Sequence, residues 1–303
     1  MKRYSGIWPV APTVFHENGS LDLEGCGRAL DCMVAQGVDG ICILANFSEQ
    51  FLISDAERET LQRVNLEHVA GRVPVIVTIS HFATEIVVQR ARQARDFGAS
   101  IVMMMPPYHG ALLRGMPEQI FEQFARVGEI GIPIMLQDAP LSGVDLPVGL
   151  LARMAREIEM LRLFKIECPG TATKLRALLD DAGEFIEGPF DGEEAITLMA
   201  DLDAGATGSM TSALIPDQIG PVITAHLAGN RETAQAAYAR VLPAINFENR
   251  QCGFRATKEA MVEGGVIGSA HCRHPIQPLH PATRAQLIEL IRPLDPVVLK
   301  FGR

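Results

Sequence analysis

Lys165 and Glu167 stand two residues apart in the apolar run LRLFKIECPG, residues 161–170. In an extended strand, side chains at i and i+2 leave the same face, so the ammonium and the carboxylate point into one space. Two readings of that spacing stand open. One is a buried ion pair. The other is covalent chemistry: a desolvated interior disfavours the ammonium form of a lysine, and the free amine attacks ketones to give a Schiff base.

Such a pair needs strands to carry it to an opening, and the chain has the elements for that. β-rich runs recur at Ile7–Thr13, Gly40–Leu44, Val75–Ile79, Ile101–Met105, Ile134–Gln137, Leu161–Glu167, Phe185–Gly188 and Thr207–Thr211. Helix-length segments alternate with them at 23–36, 54–70, 84–97, 117–130, 147–157, 171–180, 193–203 and 216–228. Ser54 followed by Glu57 reads as a capping box, and Gly37, Gly71 and Gly98 stand just past helix ends. Eight strand-helix units in series with parallel crossovers predict an α/β fold, a (β/α)8 TIM barrel. The remaining residues read as a helical extension over 231–245, 250–263 and 282–292, with SAHCRHPIQPLHP between the last two. No linker interrupts the chain. The expectation is one domain over 1–303, with the barrel in 1–230 and a C-terminal helical extension in 231–303.

In this architecture chemistry lies at the carboxyl ends of the strands. The residues there are Pro12-Thr13, Ala45-Asn46-Phe47-Ser48-Glu49, Ser80-His81, Pro107-Tyr108-His109, Gln137-Asp138, Lys165-Ile166-Glu167, Gly188-Pro189-Phe190-Asp191 and Met210-Thr211. Lys165 is the only lysine among them. His81 either hydrogen-bonds a substrate hydroxyl or is structural, and Tyr108 with His109 either closes the site or makes a subunit contact. Asp191 reads as a cap for the helix that follows. His271, Cys272 and His274 resemble a metal cluster, but the extension carries no matching second pair, so no metal site is expected. Met103-Met104-Met105 reads as core filling, and Leu112-Leu113 as interface.

Composition narrows the classes. The chain has 303 residues, 48% of them hydrophobic, and a formal charge of -9. A nucleic-acid partner is excluded because phosphate-backbone binding relies on clustered Lys and Arg, and no basic run occurs. No stretch approaches the roughly 18 apolar residues of a membrane span. The start, MKRYSGIWPVAP, has two cations but no apolar segment after them, so no secretory signal is expected. Six cysteines without a CxxC pair or a regular framework suit reduced thiols, and the expected location is cytoplasmic.

The segments GIWPVAPTVF, ILANFSEQFLIS, VPVIVT, MMPPYHG, IPIMLQDAP, LFKIE and AGATGSMTS follow one another along nearly the whole chain. Together they resemble the landmarks of the dihydrodipicolinate synthase and N-acetylneuraminate lyase superfamily. ANFSEQF, FKIE and QDAP are most similar to the L-2-keto-3-deoxyarabonate dehydratases. That resemblance implies a class I, Schiff-base enzyme acting on 2-oxo acids, usually as a homotetramer. The departures from the synthase pattern are informative. Ala45-Asn46-Phe47-Ser48-Glu49 replaces Gly-Thr-Thr-Gly-Glu, Gln137 replaces the proton-shuttling tyrosine, and His109 aligns with the tyrosine donated across the subunit interface. The synthase's arginine after strand five falls near Leu141-Ser142-Gly143, where the sequence has no cation.

Without that arginine the far end of the substrate is expected to carry hydroxyls rather than a second carboxylate, as in a sugar-derived 2-oxo acid. Without the tyrosine, retro-aldol cleavage lacks its base, since an amide such as Gln137 orients a water but takes no proton. Dehydration needs a base at C3 and an acid at the departing C4 hydroxyl, and Glu167 can serve as both in turn. The implied reaction starts with Lys165 attacking the C2 ketone of 2-keto-3-deoxy-L-arabonate. Glu167 then removes a C3 proton, and the C4 hydroxyl leaves with help from Glu167 or a water on Gln137. Protons shift from C5 toward C3, and hydrolysis of the imine releases 2,5-dioxopentanoate. This chemistry requires no metal or organic cofactor. By its aligned position, the loop after strand two is expected to hold the substrate carboxylate on the N–H groups of Phe47 and Ser48 and the side chains of Asn46 or Ser48. His81, Tyr108 and Gly188 complete the expected substrate-binding set. Two alternatives are a 2-keto-3-deoxy sugar acid aldolase, which releases pyruvate, and a non-catalytic 2-oxo acid sensor.

Overall fold

The computed structural model describes residues 4–110, 112–139 and 142–303. Met1, Lys2 and Arg3, with the two cations of the first segment, lie outside the described residues, as do Pro140 of QDAP and Leu141 of Leu141-Ser142-Gly143.

In chain order the elements are β1 (Gly6–Ile7), α1 (Leu23–Ala35), β2 (Ile41–Ile43), α2 (Asp55–Val69), β3 (Val75–Thr78), α3 (Thr84–Asp96) and β4 (Ile101–Met104). A short hairpin follows, β5 (Tyr108–His109) and β6 (Leu113–Arg114), then α4 (Pro117–Gly128), β7 (Ile134–Asp138), α5 (Val148–Glu157), β8 (Leu161–Ile166) and α6 (Thr171–Ala182). The chain continues through β9 (Gly188–Asp191), α7 (Leu198–Asp203), β10 (Gly208–Ser209) and α8 (Pro216–Leu227). It ends in α9 (Arg231–Phe247), α10 (Arg255–Glu263) and α11 (Pro281–Ile291). These residues form two compact units, one holding the chain up to Gly6 with Pro74–Met210, the other Ile7–Val73 with Thr211–Arg303. The division does not fall at residue 230, and residues 211–303 group with 7–73.

In the first unit, β3, β4, β7, β8, β9 and β10 are hydrogen-bonded side by side in that order, and every described pairing is parallel. Parallel strands covered on both faces read as unbroken apolar runs, and Ile101, Val102, Met103 and Met104 are all fully buried. The helices between them turn one stripe inward: Ile120, Phe124 and Val127 of α4 are buried at i, i+4 and i+7. The hairpin is absent from the expected elements. Its antiparallel pairs are Tyr108 with Arg114 and His109 with Leu113, and Gly110 at the turn takes φ 56°.

In the second unit, Val10 bridges in parallel to both Cys42 and Ser212. The expected strand Ile7–Thr13 forms regular pairing only over Gly6–Ile7, because Pro9 and Pro12 have no N–H to give to a ladder. Helix α2 carries the expected capping box, with Ser54 N–H donating to Glu57 and Glu57 N–H to the Ser54 hydroxyl. Gly37 and Gly71 take φ 73°, and Gly98 in the first unit takes φ 88°. Gly40 has no room for a Cβ, since the Trp8 ring occupies that space.

The expected strand Phe185–Gly188 is displaced. Residues 183–185 form a 3-10 turn, and the strand runs from Gly188 to Asp191, because β8 sets the register by pairing Leu163 with Gly188 and Ile166 with Asp191. The expected helix 193–203 begins only at Leu198, after Glu194 and Ala195 adopt φ 56° and 67°. In the extension, α9 runs to Phe247 and passes into a π-helical turn, Glu248–Cys252. All six cysteines are free thiols. Among the described residues, no helix is long and apolar enough to cross a membrane.

Candidate active site

The first unit brings three of the expected residues together. Lys165 and Glu167 lie on one face at the carboxyl end of β8, with Lys165 Nζ 3.2 Å from Glu167 Oε2. Gln137, on β7, is the strand partner of Lys165, and its Nε2 donates to the same Oε2 at 2.8 Å. The Glu167 N–H donates to the Asp138 carbonyl at 2.8 Å, which extends the β7–β8 pairing one residue past the strand and fixes where the carboxylate emerges. The lysine side chain is 5% exposed and the glutamate 26%, so the amine is sheltered and the acid is partly open to solvent.

Around this triad stand acids that sequence alone does not connect. Asp138 is buried, which raises its carboxyl, while the Lys174 ammonium at 2.5 Å pulls it back down. Asp191, fully buried at the end of β9, accepts hydrogen bonds from the Ser209 hydroxyl at 2.6 Å and from the N–H groups of Glu193 and Ala195. Its role as a cap is therefore real, but the capped segment is the turn at 193–195 rather than a helix. Burial raises Asp191 despite those bonds and the Lys165 charge. Asp201 on α7, also buried, accepts from Thr197 at 2.7 Å, and burial together with Asp191 pushes it up to about 7.

Gly188 is a correction. It opens β9 instead of ending it, and a Cβ there would meet Phe190, Tyr4 and Leu163, so it belongs to the packed interior at the amino end of the strand. His81 lies past β3, where its Nδ1 accepts the Ala83 N–H at 3.0 Å ahead of α3. Tyr108 is half-buried on the hairpin, and burial raises its phenol. Arg114, from β6, lays its guanidinium 3.3 Å from where a Cβ on Gly143 would stand, while residues 141–143 themselves carry no cation.

In the second unit, Asn46, Phe47 and Ser48 form a 3-10 turn after β2. Ser48 is a partial correction, because its donors are already used. Its N–H bonds to the Ala45 carbonyl and its hydroxyl to the Ala11 carbonyl at 2.7 Å, while its own carbonyl accepts from Thr13 at 2.6 Å. Ser48 thus fastens the turn, and the Asn46 side-chain oxygen accepts from Gln50 at 2.7 Å. Glu49 follows in a left-handed conformation, φ 58°, and is fully buried against Lys258 of α10. Lys258 escaped the sequence reading. Its only signal is its place on the stripe Thr257, Lys258 and Met261, whose neighbours are buried. Among the described residues no group of three His, Cys, Asp or Glu side chains is placed to hold a metal ion.

The model of the Dihydrodipicolinate synthetase family matches residues 3–293. The sequence is 56% identical over 301 residues to L-2-keto-3-deoxyarabonate dehydratase of Azospirillum brasilense, covering 99% of this chain and 97% of that protein. It is 27% identical over 295 residues to 4-hydroxy-tetrahydrodipicolinate synthase of Methanosarcina mazei, covering 96% of this chain and 98% of that one. A crystal structure from Pseudomonas aeruginosa, described as a candidate dihydrodipicolinate synthetase, is similar with a TM-score of 0.89 at 30% identity, over 96% of this chain and 99% of that one. With its α/β alternation, its parallel strands and the helices that follow the eighth unit, the chain has the (β/α)8 barrel fold and belongs to the dihydrodipicolinate synthetase family.

Proposed function

We propose that this chain dehydrates 2-keto-3-deoxy-L-arabonate to 2,5-dioxopentanoate through a Schiff base on Lys165, as a step in pentose breakdown. The observation that carries the proposal is the shared oxygen: Glu167 Oε2 contacts both the Lys165 amine at 3.2 Å and the Gln137 amide at 2.8 Å. The 56% identity to the Azospirillum brasilense dehydratase supports the substrate.

Lys165 condenses with the C2 ketone and releases one water, and the resulting iminium acidifies C3. Glu167, one short step from the nitrogen, takes a C3 proton and returns it to the C4 hydroxyl as that group departs. Gln137 holds the carboxylate in line for both transfers, and with no basic atom of its own it leaves the proton on Glu167. Loss of a C5 proton from the unsaturated iminium, protonation at C4 and then C3, and hydrolysis give 2,5-dioxopentanoate and free amine. Across the cycle one water is lost from the substrate. No tyrosine stands at Gln137's position to take the C4 hydroxyl proton, which disfavours aldol cleavage.

In this proposal the turn at 46–48 binds the substrate carboxylate through the Phe47 N–H and the Asn46 amide, His81 and Tyr108 contact the hydroxylated end, and the reaction needs no cofactor. The proposal includes a homotetramer working in the cytoplasm. Incubation with 2-keto-3-deoxy-L-arabonate tests it. Appearance of 2,5-dioxopentanoate is the expected result, pyruvate would signal aldol cleavage instead, and no turnover with ligand binding alone would identify a sensor.

A further inference from the structure

The segment from Asn46 to Glu57 is gripped from the extension at three points. The Phe254 ring lies edge-on to Phe47 and to Phe51, each 6.3 Å between centroids. Arg273 donates to Glu57 and to the Leu52 carbonyl at 2.8 and 2.9 Å. Between them, Lys258 makes an ion pair with Glu49 in which the side chains are 1% and 0% exposed. The Lys258 ammonium also donates to the His271 carbonyl at 2.9 Å, lies 3.8 Å from Cys272 Sγ and stands 4.8 Å above the Phe15 ring.

A buried ion pair is a poor stabiliser, because desolvation of both charges offsets most of their attraction. Its special property is direction. Glu49 has left-handed backbone, a conformation that side chains other than Gly, Asn and Asp seldom adopt, and such residues persist only where their surroundings over-determine them. The residue immediately before it, Ser48, is pinned at both N–H and hydroxyl. The turn that aims the Phe47 N–H and the Asn46 amide is thus fixed at its far end by one lysine from α10.

We propose that Lys258 is a positioning residue for the carboxylate-binding turn: through Glu49 it holds the Phe47 N–H and the Asn46 amide in the orientation that receives a 2-oxo acid's carboxylate. This rests on the proposed role of that turn, and the test uses pyruvate and hydroxyacetone, a ketone without a carboxylate, in place of the full substrate. In the intact protein, each ketone is incubated with borohydride and the reduced adduct on Lys165 is quantified against ketone concentration. Lys258→Met raises the half-saturating pyruvate concentration about tenfold or more, as misplacement of binding groups does, while hydroxyacetone trapping is unchanged. Glu49→Gln, which keeps the shape and removes the charge, does the same and carries the test if Lys258→Met is insoluble. Lys258→Arg recovers part of the pyruvate affinity. Unchanged half-saturation in both charge-removing variants overturns the inference, and so does a parallel loss for both ketones, which a merely structural lysine would produce. A wild-type protein that traps pyruvate but forms no 2,5-dioxopentanoate would sink the proposed reaction alone, and the pyruvate shift would still support the role of Lys258.

Discussion

Glu167 is asked to act twice, and its single shared oxygen sets the predictions at the residue scale. Lys165→Ala removes the only amine of the triad and abolishes both the borohydride-trapped adduct and turnover. Glu167→Gln preserves the amine and the shape, so the adduct still forms, while dehydration slows on the order of 10²-fold or more with the loss of general acid-base catalysis. Single-turnover measurement of adduct and product separates the two steps, and normal turnover by the Gln variant would move proton transfer to another group. The period-2 rule made Lys165 and Glu167 legible before any coordinates, since strand neighbours two apart must share a face. Lys258 was not legible in the same way. Its partner Glu49 lies far away along the chain, and a lone helical lysine ordinarily faces water.

At the scale of elements, register decided what the sequence left undetermined. The apolar Phe185 draws a strand assignment toward itself, but pairing with β8 starts the strand three residues later, so Gly188 moves from the chemical end to the packed end. The hairpin β5–β6 was equally hidden, being only two residues per strand, yet it brings Arg114 over Gly143. Arg114→Ala therefore weakens binding of the hydroxylated substrate while leaving pyruvate trapping unchanged. A comparison of KM for 2-keto-3-deoxy-L-arabonate with half-saturation by pyruvate checks this, and equal effects on both would remove Arg114 from the account. Helix ends were read more securely, because a cap is a local pattern. Ser54→Ala loses about 1 kcal/mol of stability, measurable by denaturant unfolding. Gly264→Ala loses more, on the order of 2 kcal/mol or above, because its Cβ would overlap the rigid Val298 carbonyl.

On the scale of the whole molecule, the unused buried acids tie stability to pH. Glu248, on the π-helical turn, is 4% exposed, and burial pushes it from 4.5 up to about 7 despite a hydrogen bond from Ser212. An acid whose folded value is raised keeps its proton in the native state after the unfolded chain has lost it. Its stabilising contribution is complete below about pH 4.5 and is lost as pH rises toward about 7, with a slope of at most about 1.4 kcal/mol per pH unit for one such group. Asp201 acts in the same direction. Thermal melts between pH 5 and 8 are expected to fall with rising pH, and Glu248→Gln to flatten part of that fall; an unchanged slope would show that Glu248 does not titrate in this window. The measurement that bears most directly on the whole account is the mass of the peptide containing Lys165 after the protein is mixed with 2-keto-3-deoxy-L-arabonate and borohydride. The account predicts a reduced adduct on Lys165 that includes species lighter than the intact sugar acid adduct by one water. Turnover to 2,5-dioxopentanoate with Lys165 unmodified would contradict it.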